Sequence, residues 1–399
     1  MLNKEEKIEE ILNRSISTVY PNKESLKETL LSGKILRIYM GIDPTASYVH
    51  IGHATNYLIL KRLHNLGHKI IILIGDFTAM IGDPSDKTAL RKKLSKEEVL
   101  ENLKTFKKQI GKIINFEDKN NPIEFKFNSE WLSELSWKEG IELASYFTVQ
   151  QMIERDNFQK RIKENKPLYL HEFLYPLMQG YDSVMIKAGA ELGGTDQRFN
   201  LLAGRKLQEY YGQEPQDIVI TSLMEGADGR KMSSSWGNTV NLKDEPNDMF
   251  GKIMSIPDNL IMKYFILATR VDSTDLIGVQ SQFDAGANPR DIKARLAREI
   301  VKMYHGEKLA LSAQATFDKQ FRDKEMPDEI EGKKVEIKSW RPDDLLVELG
   351  LVASKTEARR MIAQGGVKID GQKVANLEEI MVKSGMVISV GKRKFVRIK

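Results

Sequence analysis

The chain contains no cysteine. Disulfides and thiolate metal sites are therefore excluded. It also lacks any apolar run of the roughly 20 residues needed to span a bilayer. The opening segment, MLNKEEKIEEIL, is charged and amphipathic, without the apolar core and small-residue cleavage site of a secretory signal. No membrane partner and a cytoplasmic location are the default expectations. There is no internal repeat and no low-complexity tract. A strong charge of one sign is missing too, since the formal net charge is only +5. Its distribution is uneven. From Leu351 to Lys399 there are eleven Lys/Arg against four Asp/Glu, a local +7, which leaves −2 for everything before it. A near-neutral body with a basic tail suits a polyanion contacted at the C-terminal end, or a solvated basic tail.

What is present is a globular composition: 399 residues, 41% hydrophobic and 29% charged. That length predicts two or three domains. Residues 4–18 carry Ile8, Ile11, Leu12 and Ile16 near helical spacing and read as one helix. LRIYMGI (36–42) reads as a buried strand. It runs through DPTASYVHIGH into a helix near Ile51–Leu66. HKIIILIGDF (68–77) has five consecutive apolar residues and reads as a second strand covered on both faces. Strand, loop, helix, strand is the unit of a doubly wound α/β fold. Residues 95–112 and 137–165 read as helical, and IVITSLM (218–224) as another buried strand. From Pro246 to about Phe317 amphipathic helical patterns dominate, and the charged stretch 321–338 reads as a linker. In the tail, Ser354 to Glu357 fits a capping box ahead of a helix ending at Gly365-Gly366. VKID, the turn Asp370-Gly371 and QKV give a hairpin signal. Lys355 and Arg359 share a helix face, with Arg360 beside them. This suits phosphate contacts to a folded nucleic acid.

Two motifs carry chemistry. His50-Ile-Gly-His53 stands where a strand turns into a helix, the usual ligand crevice of an open α/β sheet. A helix N-terminus offers free N–H groups to phosphate. Gly52 lets a flat purine approach the backbone. His50 and His53 can donate to phosphate oxygens. The same spacing is half of a metal site, but no Glu lies between the histidines and no Cys completes one. The second motif, Arg230-Lys-Met-Ser-Ser-Ser235, follows a strand and a glycine turn. Lys231 can supply charge and the serines hydrogen bonds to a triphosphate. By itself it also reads as a polar surface loop. Tyr175, Gln179 and Asp182 share one helix face by their i, i+4, i+7 spacing. That fits a polar ligand pocket or a buried polar cluster.

The two motifs together, about 180 residues apart, resemble the HIGH and KMSKS signatures of class I aminoacyl-tRNA synthetases. Tyr39-Met-Gly-Ile-Asp-Pro-Thr-Ala46 narrows the resemblance to bacterial-type tyrosyl-tRNA synthetases. So do Ile81-Gly-Asp-Pro-Ser85, Tyr175-x3-Gln179-x2-Asp182 and Gly193-Gly-Thr-Asp-Gln197. The basic tail resembles the RNA-binding module those enzymes carry. The resemblance implies a Rossmann-like catalytic domain over 1–242 with an insertion at about 115–190. A helical anticodon-stem-binding domain (243–320), the linker (321–338) and a small α+β RNA-binding domain (339–399) would follow.

The resemblance also implies roles. Tyr39 and Asp182 meet the substrate phenol, while Tyr175, Gln179, Asp83 and Gln197 surround its ammonium and carboxylate. Gly41, Asp43, Gly194 and Asp196 line the ATP site, Asp196 near the ribose, and Leu223 and Met224 flank the adenine. Thr45, His50, His53, Lys87, Lys231, Ser234 and Ser235 handle the phosphates. Lys355, Arg359 and Arg360 would meet RNA. The implied partners are tRNA(Tyr), L-tyrosine, ATP with Mg2+ and a second copy in a homodimer, with no tightly bound protein metal. Two positions depart from the pattern. Ser234 replaces the usual second lysine, leaving Lys231, with Arg230 beside it, to carry the charge. Asn56, a candidate ribose contact, stands where some relatives have Thr.

The implied reaction joins tyrosine to ATP as an adenylate and then to tRNA. A carboxylate is already a nucleophile at pH 7. The burden is therefore positioning and charge stabilisation, with no general base. Three rivals share parts of this pattern. Tryptophanyl synthetases usually lack the basic tail, and a Tyr39/Asp182 pair favours a phenol. Small-molecule nucleotidyltransferases are shorter and need no RNA module. A non-catalytic RNA-binding scaffold need not retain His50, His53, Lys231 and the pocket residues.

Overall fold

The computed structural model describes residues 3–44, 48–83, 95–322, 330–374, 376–391 and 394–399. The chain separates into two compact units, 1–313 and 314–399. No helix among the described residues is long and apolar enough to cross a membrane.

The first unit is built on a six-stranded sheet. Its strands are β1 (Ile16–Tyr20), β2 (Arg37–Ile42), β3 (Lys69–Ile74), β4 (Glu124–Phe127), β5 (Ala190–Gly194) and β6 (Asp217–Thr221), in the order β1-β6-β5-β2-β3-β4. β1 pairs antiparallel with β6, and the other pairs are parallel. Ile70 to Ile74 in β3 are all buried, as their unbroken apolar run predicts for a strand covered on both faces. The parallel strands wind outward in both directions from the β2/β5 pair. A crevice therefore opens at the C-terminal ends of β2 and β5, where the connections diverge.

The N-terminal segment corrects the single-helix expectation. The helix covers Lys4–Arg14 and ends before Ile16, where the chain becomes β1. The run Ile16-Ser-Thr-Val-Tyr20 is rich in β-branched and aromatic residues, and the edge of β6 supplies a partner that helical spacing does not reveal. The insertion helices form as three short pieces, Trp137–Ser145, Val149–Ile153 and Asp156–Lys163. The helical region that follows Pro246 packs with the sheet in the same unit. Buried Arg14 ties it in by donating to the carbonyls of Ile266 and Thr269, each at 3.0 Å.

The second unit holds a five-stranded sheet. It comprises β7 (Gly332–Lys333), β9 (Val367–Ile369), β10 (Gln372–Lys373), β12 (Val387–Val390) and β13 (Lys394–Ile398). A two-stranded piece pairs β8 (Ser339–Trp340) with β11 (Ile380–Met381). The β9/β10 hairpin turns at Asp370 and Gly371, which have φ of 48° and 82°. Two positive φ values match the Asp-Gly signal. Its core gathers Leu345, Leu346, Ala358, Ile362, Val382 and Ile388.

Candidate active site

The crevice has a buried floor and an exposed rim. The floor begins at Asp182, 2% exposed on the helix Leu170–Ile186. Trp131 Nε1 donates to its Oδ1 at 2.7 Å and Asn128 Nδ2 to its Oδ2 at 3.3 Å. Burial pushes this carboxyl well above the ordinary range. The Trp131 and Asn128 donors pull it down, while Glu191 and Asp43 add like charge. Tyr39, at the heart of β2, is fully buried and its hydroxyl lies 2.7 Å from Ser183 Oγ. Burial, with Glu191 and Asp182 nearby, holds that phenol un-ionised.

The polar groups of the floor are linked in pairs. Tyr175 donates to Asp43 Oδ2 at 2.8 Å, and Thr78 donates to Asp43 Oδ1 at 2.8 Å. Gln197 Nε2 donates to Asp83 at 2.6 Å and accepts from Asn200 at 3.0 Å. Gln179 Nε2 donates to Glu191 Oε1 at 3.0 Å. Gly75 is required here, because a Cβ on it would collide with the Asp43 carboxylate and the Thr78 hydroxyl.

The rim starts with His50, the N-cap of the helix Ile51–Asn65. Its Nδ1 accepts from the His53 backbone N–H at 3.3 Å, so the ring proton sits on Nε2. Burial lowers its pKa to about 2, with His53 and Lys231 adding like charge, so the ring is neutral. The His53 ring stacks on it at 3.6 Å. A Cβ on Gly52 would crowd the His50 ring at 3.0 Å, so glycine keeps this surface flat. The Asn56 side-chain oxygen is buried without a hydrogen-bond partner. Gly41 is open in front of its Cα, whereas Gly194 is closed off by the Asp196 carboxylate.

The Lys231 hairpin is held by its own backbone. Gly226 N–H donates to Arg230 O and Met232 N–H to Met224 O, each at 2.8 Å. Asn238 pins it by accepting from Ser233 N–H at 2.9 Å and donating to Asp228 at 2.7 Å. Lys231 Nζ pairs with Asp196 at 2.8 Å. Arg230 is bound to Asp228 at 2.6 Å and stacked over Trp236 at 4.0 Å. Its charge is thus engaged at the outer edge of the hairpin. Ser234 is exposed, Leu223 is exposed and Met224 is buried. Thr45 and Lys87 lie outside the described residues, as does the side chain of Ser235.

Sequence reasoning missed several floor residues: Trp131, Asn128, Ser183, Gln216 and above all Glu191. One signal was available for Glu191, a lone charge in an otherwise apolar or glycine strand, Ala190-Glu-Leu-Gly-Gly194. In the second unit, Arg359 binds buried Asp343 at 2.7 Å and Lys355 pairs with Asp344, while Arg360 is exposed. Two of the three basic residues expected to meet RNA are thus also structural partners of the preceding helix, Pro342–Glu348.

Residues 32–322 match the family described as tRNA synthetases class I (W and Y), and residues 331–388 match the S4 domain. The fold described above is of that class. A tyrosine–tRNA ligase 2 of Clostridium acetobutylicum is 47% identical over 405 residues, covering 100% of this chain and 99% of that protein. A tyrosine–tRNA ligase of Thermotoga maritima is 46% identical, covering 97% and 96%. Among solved structures, a C-terminally truncated mitochondrial tyrosyl-tRNA synthetase of Aspergillus nidulans superimposes with a TM-score of 0.65 at 20% identity, covering 80% of this chain and 95% of that one. An Archaeoglobus fulgidus tyrosyl-tRNA synthetase, solved with L-tyrosine, gives 0.63 at 23% identity, covering 78% and 100%. These structural likenesses speak for the fold. The chain belongs to the class I tRNA synthetases and, within them, to the tyrosine–tRNA ligases.

Proposed function

We propose that this chain activates L-tyrosine with ATP and passes the tyrosyl group to the 3′ end of tRNA(Tyr). The observation that carries the tyrosine assignment is the Asp182 carboxylate beside Tyr39 on the crevice floor. A phenol donating to Asp182 and meeting Tyr39 fills both. Phenylalanine covers both groups without supplying the phenol's hydrogen bonds, a cost of about 1–3 kcal/mol for each bond lost. Sites of this kind, for which tyrosyl enzymes are themselves the reference case, reject the analogue by about 10⁴–10⁵ without editing.

In the first step a tyrosine carboxylate oxygen bonds to the α-phosphorus, and the bond from that phosphorus to the bridging oxygen breaks, releasing pyrophosphate. The floor positions the amino acid through Tyr175, Gln179, Asp83 and Gln197. Gly41, Asp43 and Gly194 line the nucleotide side. Asp196 and the free oxygen of Asn56 meet the ribose, and Leu223 and Met224 flank the base. His50 Nε2–H, His53, Lys231 and Ser234, with Thr45, Lys87 and Ser235, stabilise charge on the phosphate oxygens. Lys231 must leave Asp196 to do so. Both partners are partly exposed, and such a pair holds with at most about 1 kcal/mol.

Magnesium enters bound to ATP. It would neutralise charge on the phosphates, while Asp43, Asp83 and Asp196 accept protein hydrogen bonds. The S4 unit grips tRNA, with Arg360 and the outer edges of Lys355 and Arg359 on its basic face, and residues 243–320 approach the anticodon stem. A second copy docks on the insertion. Trp137 is 81% exposed there and Leu170 85%, with Ile141 and Val149 also exposed. The test is ATP–pyrophosphate exchange with tyrosine, tryptophan and phenylalanine. Exchange with tyrosine alone is expected, and exchange driven by tryptophan would refute the assignment.

A further inference from the structure

The floor contains one carboxyl that the reaction above does not use. Glu191 is 1% exposed in β5. Gln179 donates to its Oε1 at 3.0 Å, while Gln216 at 2.5 Å and Ser183 at 3.3 Å donate to its Oε2. Tyr39 reaches it from β2. The other ionisable group that bears on it is Asp182, on the helix Leu170–Ile186. The crowding is built in, since a Cβ on Gly204 would collide with the Ser183 hydroxyl and crowd the Gln216 amide.

Ser183 owns a single hydroxyl proton and has two claimants, Glu191 at 3.3 Å and the Tyr39 oxygen at 2.7 Å. An ionised Glu191 only accepts, so it takes the Ser183 proton. The Tyr39 proton is then drawn inward, to Ser183 or to Glu191 itself, and Tyr39 can only accept from a ligand. A neutral Glu191 releases that demand. Ser183 donates to Tyr39, and the Tyr39 proton is free to face the pocket. A phenol whose own proton goes to Asp182 needs a donor at its oxygen, and the freed Tyr39 proton is that donor.

We propose that Glu191 is a positioning residue for the amino-acid pocket, setting together with Ser183 the direction of the Tyr39 hydrogen bond and with it the strength of tyrosine recognition. The inference rests on the reading of the floor as a tyrosine site. Burial raises the Glu191 pKa to about 7, against the Gln179, Tyr39, Gln216 and Ser183 hydrogen bonds, so both arrangements occur in the working range.

The test is steady-state ATP–pyrophosphate exchange between pH 6 and 8 with tyrosine and with phenylalanine, in the wild type, Glu191→Gln and Ser183→Ala. In the wild type the KM for tyrosine should rise about 3–10-fold as pH passes 7, the worth of one neutral hydrogen bond. The KM for phenylalanine, which has no oxygen to sense Tyr39, should stay level. Glu191→Gln should flatten the tyrosine profile. Ser183→Ala, which removes the relaying hydroxyl and one of the donors that hold the Glu191 pKa down, should flatten it over this range too and carries the comparison if Glu191→Gln does not fold. A pH-dependent tyrosine KM that survives in either variant, or a phenylalanine KM that moves in parallel, overturns the proposal. Exchange with tyrosine on a flat wild-type profile overturns it alone. Exchange with tryptophan and not tyrosine overturns the site reading itself.

Discussion

The floor and the rim of the crevice solve opposite problems. On the floor, Asp182 and Glu191 are nearly inaccessible, and each is held by two or more fixed donors. On the rim, Lys231 and Asp196 are about half exposed and paired with each other. Buried, multiply bonded groups hold one geometry and penalise a wrong ligand heavily. An exposed ion pair is cheap to exchange. On the proposed reading, discrimination belongs to the floor and phosphate chemistry to the rim.

That division can be broken or sharpened by experiment. The largest effect is expected for Asp182→Ala, which should cut the tyrosine-over-phenylalanine preference by about 10²–10⁴, read as the ratio of kcat/KM values in exchange. Next is Lys231→Ala, which removes a charge from the phosphates. Single-turnover adenylate formation should slow by about 10²–10³, with the Kd for tyrosine unchanged. Weakened tyrosine binding in that variant would blur the two regions into one. Removing residues 331–399 should leave exchange intact and reduce aminoacylation by about 10–10³-fold, as lost phosphate contacts imply. Equal loss in both assays would contradict a tRNA-gripping role for the tail.

The smallest effect is on stability, and its sign differs between the regions. His50 is neutral in the fold down to about pH 2 but charges near 6.5 once unfolded. The unfolded chain then binds more protons, so stability falls as pH drops below 6.5. Glu191 runs the other way. Its folded pKa of about 7 exceeds the unfolded 4.5, so its contribution is complete below 4.5 and is lost as pH rises through 7. Taken alone, His50 costs about 2 kcal/mol between pH 6.5 and 5. His50→Asn keeps a helix cap and should shrink the fall in melting temperature over that interval. An unchanged fall would place the acid sensitivity elsewhere.

How much was legible follows the same divide. The rim was readable because its chemistry is local: four residues from His50 to His53 cap one helix, and a glycine-flanked hairpin carries Lys231. Tyr175, Gln179 and Asp182 were readable as one helix face. Their partners were not. Trp131 and Asn128 come from the far side of the sheet, and Gln216 precedes β6, so only the folded topology brings them together. β1 was hidden for a related reason. The spacing of Ile8, Ile11, Leu12 and Ile16 continues a helical pattern, while the strand exists because β6 offers an open edge. The pairing of Arg359 with Asp343 was also invisible, since charge counting treats every basic residue as available.

The most direct test of the division measures kcat/KM for tyrosine and phenylalanine in the same exchange assay for the wild type, Asp182→Ala and Lys231→Ala. Asp182→Ala should collapse the ratio, while Lys231→Ala should lower both values together and preserve it. A ratio that falls equally in the two variants would contradict the division.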